Sequence, residues 1–183
     1  MQVDLDPSVL DAMRRWPNVP AVYGWLRLDR RGIWHLVDRS AAEFDEDRHG
    51  RGDPIRNRQI VAFIGRNYLA ADDGAWYWQN GPQRVFVDLD LTPWILRVRS
   101  DLDGGQLLTH TGLPIARVDA AFEGPAGELL VQTELGPAAI HDLDLGALEL
   151  DESGVLLVGR RFALQRCDDP ATALDFRPRP RSD

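Results

Sequence analysis

Most of this chain alternates. In "RVFVDLDL" (84–91), Val85, Val87, Leu89 and Leu91 fall on one side and Arg84, Phe86, Asp88 and Asp90 on the other, which is the two-residue period of a strand. "AVYGWLRLDRRGIWHLVD" (21–38) reads as a hairpin. Leu26 and Leu28 alternate with Trp25, Arg27 and Asp29, and Asp29 to Gly32 suit a type I turn followed by a bulge. Strand-like runs continue at "WILRVRS", "QLLTHTG", "IARVDAAF", "ELLVQTEL", "AAIHDLDL" and "GVLLVGRRFALQR", separated by turn signals at the spacing of antiparallel β architecture.

Three Asp-Pro pairs interrupt this pattern: Asp6-Pro7, Asp53-Pro54 and Asp169-Pro170. Asp can accept from the free N–H groups of a first helical turn, and Pro needs no donor there. The first pair predicts a short helix, "PSVLDAMRRW", ending before Pro17. After the second, Ile55, Ile60, Phe63, Ile64 and Tyr68 share a helical stripe, which predicts one long helix over 54–70. The third predicts a turn or two before the tail. The expected fold is α+β and β-rich, with antiparallel sheets built from duplicated β units and the long helix packed on the first sheet. Residues 1–100 form the expected N-terminal half and 101–176 a C-terminal β half. The tail, 177–183, "RPRPRSD", reads as disordered, extended and solvated.

The duplication rests on an echo. "VQTELGPAAIHDLDL" (131–145) follows the outline of "WQNGPQRVFVDLDL" (78–91): a Gln, then Gly-Pro, a short strand and Asp-Leu-Asp-Leu. Features common to both copies read as scaffold, with Gly-Pro at the turn, Leu inward and Asp on a wet face. Trp76, Trp78, Asn80, Gln83 and Arg84 occur only in the first copy and become candidates for another role.

The order of a Gly-aromatic hairpin, "PIRNRQIVAFIGRNY" and "DDGAWYWQNGPQRVFVDLDLTPWIL" resembles a family of bacterial proteins of unknown function. The resemblance covers roughly residues 24–120, with the strand ending "LTPW" placing Thr92 where the family tends to be small or polar. It implies an α+β protein with duplicated β units and a C-terminal half superficially like a pleckstrin-homology barrel. It also implies a small-ligand site where the halves meet, for a nucleotide-like molecule in a signalling context.

Composition narrows the chemistry. A net charge of −8 argues against a general nucleic-acid or membrane-surface binder. All 21 basic residues are arginine, so anion contacts would fall to guanidinium groups, amides and neutral donors, and lysine chemistry is excluded. Cys167 is the only cysteine, and the N-terminal sequence has neither a basic n-region nor an apolar h-region, which together fit a cytoplasmic protein. Phosphate-loop, dinucleotide and metal-ligand spacings are absent, so no cofactor or metal is expected. "RGD" at 51–53 reads as the approach to a helix rather than an adhesion motif.

Each candidate residue has a structural alternative. Gln83 and Arg84 suit an anionic ligand or a cross-strand salt bridge. Trp76 and Trp78 suit a stacking platform or the core. Arg66 and Asn67 could reach the same region or simply terminate the helix. His110 in "THTG" suits a ligand contact, a general base, or a hydrogen-bonded residue before a glycine turn. The leading expectation is a non-enzymatic binding or signalling module. It would take an anionic or nucleotide-like ligand between its halves through Arg66, Asn67, Asn80, Gln83, Arg84 and His110, with Trp76 or Trp78 as a wall. The alternatives are a protein–protein adaptor and an enzyme using His110.

Overall fold

The computed structural model describes residues 5–40, 43–99 and 106–182. The chain forms two compact units, one comprising the chain up to Asp29, Ile33–Asp90 and Arg177 onward, the other Arg30–Gly32 and Leu91–Phe176. The join expected at residue 100 lies outside the described residues. The units instead divide at Asp90/Leu91, and the tail returns to the first.

The N-terminal unit contains α1 (Pro7–Arg15), β1 (Val22–Leu28), β2 (Trp34–Leu36), α2 (Glu46–His49), β3 (Asp53–Pro54), α3 (Arg58–Arg66), β4 (Tyr68–Ala70), β5 (Trp76–Asn80) and β6 (Gln83–Leu89). Its described strands form one six-stranded sheet in the order β3-β2-β1-β6-β5-β4. The first hairpin folds as its residues predict. Leu28 pairs with Trp34, Asp29 N–H donates to Ile33 O, and Gly32 takes the positive φ that a bulged turn requires. Leu26, Leu28, Trp34, Ile64, Tyr68, Trp76 and Val87 are buried in this unit. The Tyr68 ring lies 5.0 Å from both Trp34 and Trp76.

The long helix is shorter than its stripe predicts. Asp53-Pro54 does not cap it; these residues pair with Leu36 and His35 as β3. Asn57 caps α3 instead, accepting from Gln59 and Ile60 N–H at 2.9 and 3.2 Å. A side-chain cap three residues beyond Pro54 satisfies the same free donors and leaves the preceding backbone available to the sheet.

The C-terminal unit contains β7 (Trp94–Arg99), β8 (Gln106–Thr109), β9 (Pro114–Ile115), β10 (Val118–Glu123), β11 (Leu129–Thr133), β12 (Gly136–Ile140), a 3₁₀ helix (Asp142–Ala147), β13 (Leu150–Asp151), β14 (Gly154–Leu157), β15 (Arg160–Phe162), β16 (Leu164–Arg166) and α4 (Pro170–Ala173). The larger described sheet runs β16-β10-β11-β12-β7-β8-β9, and β13-β14-β15 form a smaller one. Trp94, Ile95, Leu96, Leu130, Val131, Ala138 and Ala139 fill its core.

The two large sheets repeat one topology. Adding six to every strand number of the first gives β9-β8-β7-β12-β11-β10, which is the second without β16. Pairing directions repeat too: β1/β6 and β7/β12 are parallel, and every other corresponding pair is antiparallel. The sheets are therefore mixed rather than purely antiparallel. Alternation reports which face a residue takes, not which way its neighbour runs. The expected register of the echo also shifts. Gly81-Pro82 form the first hairpin's turn, between Asn80 and Gln83. In the second copy the pair Thr133/Gly136 encloses Glu134-Leu135, so Gly136-Pro137 begin the strand.

The tail is placed, where a disordered end was expected. Arg177 N–H donates to Gly74 O and Leu89 N–H donates to Pro178 O, both at 2.8 Å. Arg179 reaches Asp90 at 3.1 Å, Arg181 reaches Asp88 at 2.7 Å, and Arg177 pairs with Asp73.

Ile64 is fully enclosed where α3 meets the sheet. Ile64→Ala is expected to lower unfolding free energy by about 2–5 kcal/mol, read from the urea midpoint at unchanged slope.

Candidate functional site

The β5–β6 turn, singled out from the sequence, lies at one end of the N-terminal sheet. Gly81 occupies the first turn position at φ +57°, where a side chain would be strained. Trp76, Trp78 and Asn80 project to one face, as their spacing predicts. On that face Trp76 is core, against Tyr68. Trp78 stands edge-on to Phe63 of α3, 5.8 Å away at 88°. Asn80 is exposed.

Arg66 and Asn67 close α3 and are occupied by α1. Asp6 does not cap its own helix through its side chain. Its carboxylate receives the Arg66 guanidinium at 3.2–3.3 Å and Asn67 Nδ2 at 3.3 Å. Asn67 is fully buried; its Oδ1 accepts from Asp6 N–H at 2.9 Å and its Nδ2 also donates to Phe63 O. The Arg66 hydrogen bond lowers the Asp6 pKa. These two residues tie the first helix to the third.

The opposite face carries Tyr77 and Gln79 from β5 and Arg84, Phe86 and Asp88 from β6. Tyr23 stacks on Phe86 at 4.6 Å with the rings nearly parallel, and Tyr77 leans on Phe86 at 5.7 Å. Gln79 is buried, its Nε2 donating to Gly81 O. Gln83 Nε2 donates to Pro20 O at 3.1 Å. Arg84 is exposed and rests its guanidinium on the Tyr77 ring, 4.8 Å from the centroid. Among the described residues no carboxylate meets it. The expected salt bridge to a neighbouring acid is thus not made.

His110 lies in the other unit. Its ring Nδ1 accepts from Ile95 N–H at 3.3 Å, and its main-chain N–H donates to Ile95 O at 2.7 Å, fastening the end of β8 to β7. Seven of the eight candidates therefore share a unit and His110 does not.

A second polar group on the N-terminal sheet was not singled out from the sequence. Arg27 of β1 pairs across the sheet with Asp88 and forks onto Asp90, with Nε at 2.8 and 3.0 Å from the two oxygens. Asp29 accepts from Ile33 N–H at 2.9 Å and meets His35 Nε2 at 3.0 Å. Asp88 is buried, so the second face of β6 is not the wet one the pattern predicts. Burial by itself raises the Asp90 carboxyl, but hydrogen bonds from Arg27 and Arg179 outweigh it and leave the pKa lowered. The alternation of Asp88 and Asp90 was the available signal; their partners come from distant segments.

Among the described residues, no group of three or more His, Cys, Asp or Glu could hold a metal ion, and no helix is long and apolar enough to cross a membrane. Burial raises the Cys167 thiol pKa.

One family model, DUF2944, described as "Protein of unknown function (DUF2946)", matches residues 5–169. The chain belongs to this family. The expectation of an uncharacterised family is borne out, and the DUF2944 chain brings no assigned chemistry with it. No curated protein matches. Among solved structures, the chain is similar to a DUF1285 family protein from Silicibacter pomeroyi DSS-3, at 16% identity, 90% coverage of each chain and a TM-score of 0.54. A DUF1285 family protein from Shewanella baltica OS155 matches at 11% identity, covering 67% of this chain and 88% of its own, with a TM-score of 0.46. The first likeness supports the α+β, β-rich fold.

The two kinds of candidate separate in a stability measurement. Asn67→Ala leaves the Asp6 amide without its acceptor and is expected to cost about 1–3 kcal/mol. Arg84→Ala is expected to stay within about 0.5 kcal/mol of the parent. Urea unfolding of both variants checks the contrast.

Proposed function

We propose that the DUF2944 chain is a binding module for a small anionic ligand, recognised at the β5–β6 turn with Arg84 as the charged contact. The observation that carries this reading is the setting of Arg84. Its guanidinium lies on an aromatic ring rather than on an acid, so its N–H edges remain available to fork onto a carboxylate or phosphate. The platform beneath is firm, because Tyr77 leans on Phe86 and Phe86 stacks on Tyr23. Asn80 is exposed on the same turn, and the Gln83 amide oxygen is a further polar group beside it. A net charge of −8 gives the chain no general attraction for anions, so recognition would depend on this local geometry.

A protein partner is the second reading. It is favoured by the exposed Leu143, Leu150, Leu156 and Val158 of the C-terminal unit. Leu156 and Val158 border a cleft of about 240 Å³ and Leu150 one of about 280 Å³, and Leu148 lines both. Val158 also holds a left-handed φ of 48°, rare for a branched side chain.

A thermal-shift panel of nucleotides, phosphosugars and carboxylates tests the first reading. A ligand at a hundredfold excess over its Kd stabilises by about 2.7 kcal/mol, enough to raise Tm by several degrees. Arg84→Ala is expected to keep the parent Tm and weaken that ligand about tenfold or more. A silent panel, or an Arg84→Ala variant that binds as well as the parent, removes the anionic reading and leaves the protein partner.

A further inference from the structure

The C-terminal segment sits on the N-terminal sheet as a ligand would. Its three arginines alternate with prolines, and each meets one aspartate: Arg177 with Asp73, Arg179 with Asp90 and Arg181 with Asp88. Two main-chain hydrogen bonds fix the register, through Gly74 O and Leu89 N–H. Proline suits such a segment because it is extended beforehand and loses little entropy on docking.

The two sides of this contact are unequal. The side chains of Asp88 and Asp90 are only 7% and 16% exposed, whereas Arg181 and Arg179 are each 48% exposed. Asp88 and Asp90 are enclosed with their cations lying over them, whereas Asp73, between β4 and β5, is 52% exposed against 46% for Arg177. Asp90 keeps Arg27 whether or not the tail is seated. Asp88 differs: among the described hydrogen bonds its carboxylate is met by Arg181 alone. A covered carboxylate without a partner is costly, so whatever covers Asp88 in place of the tail must bring a replacement cation. Leu89 N–H would demand an acceptor as well.

We propose that Asp73, Asp88 and Asp90 with the Leu89 amide form a recognition groove for an extended arginine-bearing segment of another protein, and that the tail is its resident occupant. The tail closes the groove in cis. A tethered occupant competes at an effective concentration of about millimolar, so a partner segment succeeds when it offers more contacts or when the tail is weakened. Arginine is favoured over lysine because a planar fork can span both oxygens of one carboxylate. This groove is separate from the Arg84 surface and does not rest on the anionic-ligand reading.

A labelled Arg-Pro-Arg-Pro-Arg peptide tests it by fluorescence anisotropy at low salt. The full chain carrying Arg179→Ala and Arg181→Ala is expected to bind the peptide at least about tenfold more tightly than the parent. Adding Asp88→Asn to that chain should remove about tenfold or more, and the Lys-Pro-Lys-Pro-Lys peptide should bind more weakly. Absence of saturable binding overturns the proposal, as does binding indifferent to Asp88→Asn or equal for the lysine peptide. If the tail variant does not fold, the parent chain decides. A spin-labelled arginine peptide at several millimolar is expected to broaden the amide signals of Leu89 and Asp90, and unchanged signals overturn the proposal.

Discussion

Arg27 and Asp90 meet where two distant parts of the chain become one sheet. They are 63 residues apart in sequence, and their fork lies beside the parallel pairing of β1 with β6. Asp90 N–H also donates to Leu28 O at 3.0 Å, so side chain and main chain fix the same register. Arg27 extends the link further, donating to the Arg51 carbonyl. Arg179 shares the same carboxylate from the tail. The partly buried carboxylate keeps Arg27 throughout and gains its second guanidinium only when the tail is in place. That second contact helps order the tail, whose sequence alone suggests a solvated arm.

The same strand plan is used twice, with different fittings. In the first copy α3 is inserted between β3 and β4, and it brings Ile64 and Phe63 onto the Trp face. In the second copy β9 ends at Ile115 and β10 starts at Val118, which leaves no room for a helix. β16 adds to β10 in parallel there. The repeated Asp-Leu-Asp-Leu is likewise used differently. Asp88 and Asp90 lie on and just beyond a sheet strand, whereas Asp142 and Asp144 lie in a 3₁₀ helix where Asp144 receives Arg97 at 2.6 Å.

Local signals in the chain proved reliable where the responsible interaction is local. The Asp29–Gly32 turn, the short first helix, the β5–β6 hairpin and the inward Val85, Val87 and Leu89 all follow from spacing. The α3 start was missed because Asn57 competes with Asp53 as a cap, and only the pairing of Asp53-Pro54 with β2 decides between them. Parallel pairing, the placed tail and the Arg27–Asp90 fork were not legible. They join segments far apart in sequence, and alternation does not name partners. Of the candidate residues, Asn67 and Trp76 turned out to be interior, while Arg84 kept an exposed guanidinium on a ring. Exposure of that kind depends on which acid is within reach, a matter of tertiary distance.

The pH dependence of unfolding, compared between the parent chain and Asp90→Asn, tests the role of the Arg27–Asp90 fork most directly. The folded pKa of Asp90 is lowered below an unfolded value of about 3.9. Its contribution is therefore complete above that value and lost as pH falls through the folded pKa. The variant is expected to be less stable by about 1–3 kcal/mol at pH 7, and the gap should close below about pH 4. A variant as stable as the parent at pH 7, or a gap of constant size down to acid pH, would contradict the account.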